Sequence, residues 1–271
     1  MQPTLTEEET RRYARTIALP EVGPEGQRKL KAASVLVVGA GGLGSPVAMY
    51  LAAAGIGRIG IVDPETVDIS NLQRQVIHDT AMIGRLKAES AREKMLRLNP
   101  HIHVDIYMES FNSDNAEKIA GDYTILVDGT DNFHTRYLIN DLCVLTGRTY
   151  VYGAVYRFEG QASVFGAQKG PCYRCLFPEP PPPDLIVNTA DTGVFSVLPG
   201  TVGTIQASET LKLILGAGVP LIGKLLLYDA LNMSFQIVGL DKDPHCPVCG
   251  AKPKITRLVD DNSFYSAPKN D

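Results

Sequence analysis

Short apolar runs recur along the chain, separated by amphipathic stretches with helical spacing, and this alternation predicts a parallel sheet with crossover helices. The first run, Val35-Leu36-Val37-Val38, suits a strand buried on both faces. It breaks into Gly39-Ala40-Gly41-Gly42-Leu43-Gly44-Ser45-Pro46 and then a helical pattern over 46–54, closed by Gly55 and Gly57. Further strands are read at 58–62, at 101–106 with His101 and His103 on its wet face, at 123–127, and at 150–156 and 161–166 around the turn Arg157-Phe158-Glu159-Gly160. Upstream, Thr6-Glu7-Glu8-Glu9 is a capping box for a helix through Ile17, and Pro24 opens a second helix ending near Ala33. Lys87 stands in the first turns of a helix reaching Leu98, Ser113 caps a short one to Ala120, and Asp128 or Asp131 caps another over 133–146.

The pattern changes after Gly170. Residues 178–193, with Pro180-Pro181-Pro182-Pro183, read as a long exposed connection. A helix over 199–215 and a late hairpin, Leu225–Tyr228 with Phe235–Val238, follow. The expectation is an α/β, Rossmann-like, doubly wound and mainly parallel sheet with a zinc-clamped C-terminal extension. Residues 1–33 form N-terminal helices, 34–170 a nucleotide-binding domain, 171–250 a region of crossover loop, helix, hairpin and cysteine knuckles, and 251–271 a loosely attached polar tail.

Composition narrows the classes. A chain of 271 residues, 44% hydrophobic, can bury a sizeable core. A net charge of −4 without blocks of like charge argues against a nucleic-acid or membrane surface. Five cysteines, no signal-peptide pattern and no membrane-spanning apolar run lead to the expectation of a reducing cytoplasm. Arg11, Arg12 and Arg15 read as a solvated face.

Two constellations carry chemistry. Gly39, Gly41 and Gly44 fit G-x-G-x-x-G after a strand, and Asp63 ends the next strand where an acidic residue reaches a ribose hydroxyl. An NAD-dependent oxidoreductase is consistent with those residues. Hydride transfer, however, gives no task to Arg74, Lys87 and Asp131, whereas attack by a carboxylate on an α-phosphate brings anions together that cations and a carboxylate-held metal would offset. The second constellation is Cys172-x-x-Cys175 with Cys246-x-x-Cys249, four thiolates of the kind that hold structural zinc, with redox dithiols as the rival. Cys143, among apolar neighbours, reads as an inert buried thiol.

Gly39-Ala-Gly-Gly-Leu-Gly-Ser-Pro46, Ser70-Asn-Leu-Gln-Arg-Gln75, Gly129-Thr-Asp-Asn132 and the paired C-x-x-C knuckles, in this order, resemble the ThiF/MoeB/HesA family, bacterial relatives of ubiquitin-activating enzymes. The resemblance spans about residues 7 to 250. It implies adenylation of the C-terminal glycine of a ubiquitin-like sulfur carrier protein ending in Gly-Gly, using ATP and magnesium. Gly41 and Gly42 would admit the phosphates, Asp63 would bind the ribose, Asn71, Arg74 and Lys87 the phosphates, and Asp131 the magnesium. Arg15, in Arg12-Tyr13-Ala14-Arg15, would reach the partner's nucleotide in a homodimer. Thr189 stands where the family commonly has a loop cysteine, and no rhodanese-like extension follows residue 250. Threonine cannot form persulfide or disulfide intermediates, so the implied activity stops at the acyl-adenylate, unless the chain is an inactive carrier-binding scaffold. Molybdopterin, thiazole, tRNA-thiolation and cysteine pathways all remain open.

Overall fold

The buried residues of the first strand, β1 (Ser34–Val38), divide between two cores: Val35 and Val37 join one, Leu36 and Val38 the other. That division organises the computed structural model, which describes residues 3–166, 170–182 and 192–259. One sheet of eight strands runs in the order β3-β2-β1-β4-β5-β6-β7-β8, with β2 (Arg58–Val62), β3 (His103–Tyr107), β4 (Ile125–Asp128), β5 (Thr149–Tyr156), β6 (Glu159–Phe165), β7 (Lys224–Asp229) and β8 (Ser234–Gly239). Strands β3 to β5 are parallel, and β6 to β8 continue the sheet antiparallel. The sheet is therefore mainly parallel in its nucleotide half and mixed as a whole. The late hairpin is the outer edge of this same sheet.

One core packs α3 (Gly23–Ala32), α4 (Gly44–Ala54), α5 (Lys87–Leu98) and α9 (Leu198–Leu215) against the sheet. The opposite core packs α6 (Ala116–Ala120), α7 (Phe133–Thr146) and α8 (Tyr173–Leu176) around a cluster of Tyr150, Tyr152, Phe165 and Tyr173. Gly60 makes room for this second core, since a Cβ there would lie 2.6 Å from Leu36 Cδ1 and Tyr123 Cζ.

Several local expectations are corrected. The helix expected from Glu7 to Ile17 is two, α1 (Glu7–Arg12) and α2 (Ala14–Ile17), broken at Tyr13, whose φ and ψ of −95° and 9° leave the helical region. Tertiary packing causes the break. The buried Tyr13 ring sits on Gly55, where a Cβ would lie 2.5 Å from Cζ, and its hydroxyl accepts Asn99 Nδ2–H at 2.8 Å. The capping box itself forms, with Thr6 Oγ1 accepting Glu9 N–H at 3.1 Å and Glu9 Oε2 accepting Thr6 N–H at 2.8 Å.

The helix near Ser113 begins only at Ala116, with Asn115 and not Ser113 at its start. Neither Asp128 nor Asp131 caps α7; Asn132 does, accepting Thr135 N–H at 2.9 Å. The β5–β6 turn is tighter than expected, because Glu159 pairs with Tyr156 and Gly160 with Val155, leaving Arg157 at a φ of 51°. The strand expected at 101–106 starts at His103. His103 is exposed, while His101 is partly buried and lies 3.1 Å from Glu8. The part of the tail described, 251–259, folds back on the knuckles: Ala251 N–H reaches Pro244 O at 2.9 Å, and Leu258 packs on the second core. Thr189 and most of the expected connection 178–193 lie outside the described residues.

Candidate nucleotide site and cysteine cluster

The strand order reverses between β1 and β4, and a cavity of about 950 Å³ opens there, beyond the C-terminal ends of the parallel strands. Gly41, Gly42, Asp63, Asn71, Arg74, Lys87 and Asp131 all line it. Seven residues drawn from five separate segments thus line one cavity. Arg15 does not line the cavity; it lies exposed on α2.

The glycine turn is held by contacts that leave no room for side chains. A Cβ on Gly44 would lie 1.8 Å from Gly39 O, and one on Gly129 would lie 2.3 Å from the same oxygen. Gly39 itself has a φ of 96°, the left-handed region that glycine tolerates. Gly41 is less constrained, its Cβ position being 3.6 Å from Gln75 Nε2, and Gly42 abuts Pro199 of α9 at 3.0 Å. Gly39, Gly44 and Gly129 therefore let two backbone segments cross, while Gly41 and Gly42 keep the cavity wall low.

Asp63 is buried at the end of β2, where its carboxylate accepts Ala40 N–H at 2.8 Å and Glu65 N–H at 2.9 Å. Burial raises its pKa, and the two backbone bonds oppose the rise. Asp63 thereby fixes the glycine turn from below. His78 grips the same residue from the other side, with Nε2 3.0 Å from Ala40 O and Nδ1 2.8 Å from Ser90 Oγ. A carbonyl can only accept, so Nε2 carries the proton and the serine hydroxyl donates to Nδ1.

Lys87 is the first residue of α5, its side chain only 5% exposed, and Nζ lies 2.5 Å from Glu65 Oε2. Arg74 donates to Ser70 O at 3.0 Å, and Asn71 Oδ1 accepts Asp68 N–H at 3.0 Å, so the Ser70–Gln75 stretch is a braced turn. Asp131 is exposed at the cavity, one residue beyond Thr130. Beneath it, Asp128 is fully buried and Arg136 Nε stands 3.6 Å from Asp128 Oδ2. Glu65, His78 and Arg136 are not singled out for this site from the sequence, and Asp128 is marked there only as a strand-end carboxylate or helix cap. Glu65 had a signal there, since Asp63-x-Glu65 puts two carboxylates at one strand end; His78 had none.

At the other end of the second core, Cys172, Cys175, Cys246 and Cys249 gather with their Sγ atoms all within 4.8 Å of one another. Sγ–Sγ distances are 3.5 Å for Cys172–Cys246, 3.4 Å for Cys175–Cys249 and 3.9 Å for Cys172–Cys175. A tetrahedron with zinc–sulfur bonds of about 2.3 Å has edges of roughly 3.8 Å, so the four fit one such ion. Gly250 shapes the second knuckle, because a Cβ there would meet Cys246 O at 2.6 Å. The first is tied to α7 by Arg174, whose Nε and Nη2 each lie 2.7 Å from the Asp141 carboxylate, and by Tyr173 N–H donating to Asn140 Oδ1 at 2.7 Å. Cys143 stands apart in α7, fully buried, and burial keeps it a thiol.

Known proteins supply an independent comparison. The ThiF family model matches residues 13–248. A Thermus thermophilus protein named sulfur carrier protein adenylyltransferase is 51% identical over 264 residues, 96% of this chain and 97% of that protein. The probable adenylyltransferase/sulfurtransferase MoeZ of Mycobacterium tuberculosis is 48% identical over 98% of this chain and 68% of its own. A Haloferax volcanii SAMP-activating enzyme E1 is 50% identical over 88% of each. In fold, E. coli MccB with ATP superposes at a TM-score of 0.77 and 23% identity, over 91% of this chain and 76% of that one.

Proposed function

Because the chain belongs to the ThiF family, we propose that it catalyses ATP-dependent adenylation of the C-terminal glycine of a ubiquitin-like sulfur carrier protein. The observation that carries this reading is the convergence of Arg74, Lys87 and Asp131 on the cavity walled by the glycine turn and Asp63. The carrier carboxylate, ionised at neutral pH, attacks the α-phosphorus of ATP; the new acyl–phosphate bond forms as the bond to the bridging oxygen breaks and pyrophosphate leaves. No general base is needed. Lys87 and Arg74 offset the charge that builds on the phosphates, and Asn71 and Asp63 orient the nucleotide. Asp131, on the cavity wall, would hold magnesium, which when bound would supply further charge neutralisation.

The four cysteines would hold zinc with no position left open, a structural ion. A redox pair requires two thiols, and here four converge. Arg15, exposed outside the cavity, suits a role across a homodimer, completing the partner's site. Exposed Phe235 stacks on Tyr228 at 4.4 Å, and Tyr228 packs with Val155 and Val194 of the cavity wall. This apolar track suits the carrier's globular body, with its Gly-Gly tail in the cavity. Substituting Phe235 by Ser should weaken carrier binding and leave ATP binding unchanged; unaltered carrier affinity would remove that surface from the reading.

An NAD-dependent oxidoreductase would share the glycine turn but give Arg74, Lys87 and Asp131 no work. Among the described residues no helix is long and apolar enough to cross a membrane. A cytoplasmic enzyme is in keeping with that and with the free thiols. The deciding experiment is carrier-dependent ATP–pyrophosphate exchange by the wild type and by Asp131→Ala. Exchange that falls by orders of magnitude in the variant establishes adenylation. ATP binding without exchange, with every carrier tried, would favour an inactive scaffold.

A further inference from the structure

The turn that carries Asp131 is fastened to a buried ion pair. Asp128, the last residue of β4, is wholly inaccessible, and its Oδ1 accepts both Thr130 N–H at 2.9 Å and Thr130 Oγ1–H at 2.6 Å. Its Oδ2 accepts Tyr150 O–H at 2.7 Å and faces Arg136 Nε at 3.6 Å. Arg136 in turn donates through Nη2 to Thr130 O at 3.3 Å. The Thr130 residue is thus gripped at its N–H, its hydroxyl and its carbonyl by two buried charged groups. Gly129 N–H donates to Val38 O at 2.7 Å, which locks the start of the turn to the end of β1.

A buried ion pair is a poor source of stability, since well-packed apolar residues of the same volume serve a core as well or better. A pair of charges placed at a strand end, with three bonds converging on one loop residue, sets geometry. We propose that Asp128, neutralised by Arg136, is the positioning residue that aims the Asp131 carboxylate into the cavity for the adenylation step. This rests on the reading of Asp131 given above. Asp128 is buried and does not line the cavity, whereas Thr130 does; Asp128 acts through Thr130.

The test is the magnesium dependence of carrier-driven ATP–pyrophosphate exchange in Asp128→Asn and Thr130→Val, using a purified ubiquitin-like carrier ending in Gly-Gly, with thermal unfolding recorded for each variant. Asp128→Asn should raise the half-saturating magnesium concentration and lower kcat by about tenfold to a hundredfold, with the KM for the carrier unchanged. Thr130→Val, which removes only the hydroxyl link, should move both in the same direction by less. A residue serving only the core would lower the unfolding temperature and leave the magnesium requirement where it was. Wild-type magnesium dependence in a folded variant overturns the proposal, and Thr130→Val alone decides if Asp128→Asn does not fold. A wild-type protein without any exchange would take the adenylation reading down and the proposal with it, whereas wild-type exchange with unshifted variants removes the proposal alone.

Discussion

A methyl group on Gly44 would lie 1.8 Å from the carbonyl oxygen of Gly39. No side-chain adjustment relieves that contact, because both partners are backbone. Gly44→Ala should therefore cost about 3 kcal/mol or more and push the start of α4 away from the end of β1. Gly200, in the first turn of α9, has nothing near its Cβ position, so Gly200→Ala should be neutral or slightly stabilising. Thermal unfolding of the two variants side by side checks the contrast. Equal midpoints would mean that the turn is free to rearrange.

Lys87 carries a second expectation. Its ammonium is sheltered at the start of a helix, where the dipole disfavours a cation, and Glu65 is its partner. Lys87→Ala should lower kcat/KM for ATP by about a hundredfold or more. Glu65→Gln should be milder, since its side chain is 69% exposed and, on the proposed reading, nucleotide phosphates would take its place beside Lys87. Steady-state exchange kinetics over a range of ATP concentrations separate the two outcomes; a Lys87→Ala variant with unchanged kcat/KM would place the phosphates elsewhere.

Legibility in the sequence followed sequence distance. β1, β2, α4 and the glycine turn are set by residues within a few positions of each other, and they were read at nearly their observed bounds. The four cysteines were legible because C-x-x-C is a local pattern that needs only pairing. The break at Tyr13 depends on Gly55 and Asn99, far along the chain, and a helical pattern cannot announce it. Asp128 and Asp131 look alike as caps in sequence. Only β5 and α7, which bring Tyr150 and Arg136 beneath the turn, separate the buried one from the exposed one. The glycines were read as a phosphate turn, but which of them are sterically obligatory emerged only once β4 lay beside β1.

Metal content offers a further check. The purified chain should carry one zinc per chain by atomic emission, lost on prolonged chelation or in Cys246→Ser. Loss should lower the unfolding midpoint by roughly 10 °C, equivalent to about 3 kcal/mol for a chain of this size. A metal-free protein with an unchanged midpoint would return the four thiols to redox chemistry.

Acid should act through His78. Burial lowers its pKa, against the opposing influence of its bond to Ala40 O. Above pH 6.5 the ring is neutral in both states and nothing is lost. As pH falls through 6.5 the unfolded chain takes up a proton that the folded chain refuses, so stability declines until the lower folded value is reached. His78→Gln, able to donate to the same carbonyl, should flatten the decline over the interval that opens below pH 6.5. Urea midpoints across that interval would show it, and an undiminished slope in the variant would assign the decline to other groups.

The cysteine cluster joins two points 71 positions apart, from Cys175 to Cys246, and α9 lies on the arc between them. With an ion in place that arc becomes a closed ring of chain, and Pro199, which abuts Gly42, is one of its links. A single backbone cut on the arc between Cys175 and β7 would open the ring without parting the pieces, which the ion and the β6–β7 pairing would both still join. The wall of the nucleotide cavity is in this sense threaded on a loop whose clasp lies against Val144, near the end of α7.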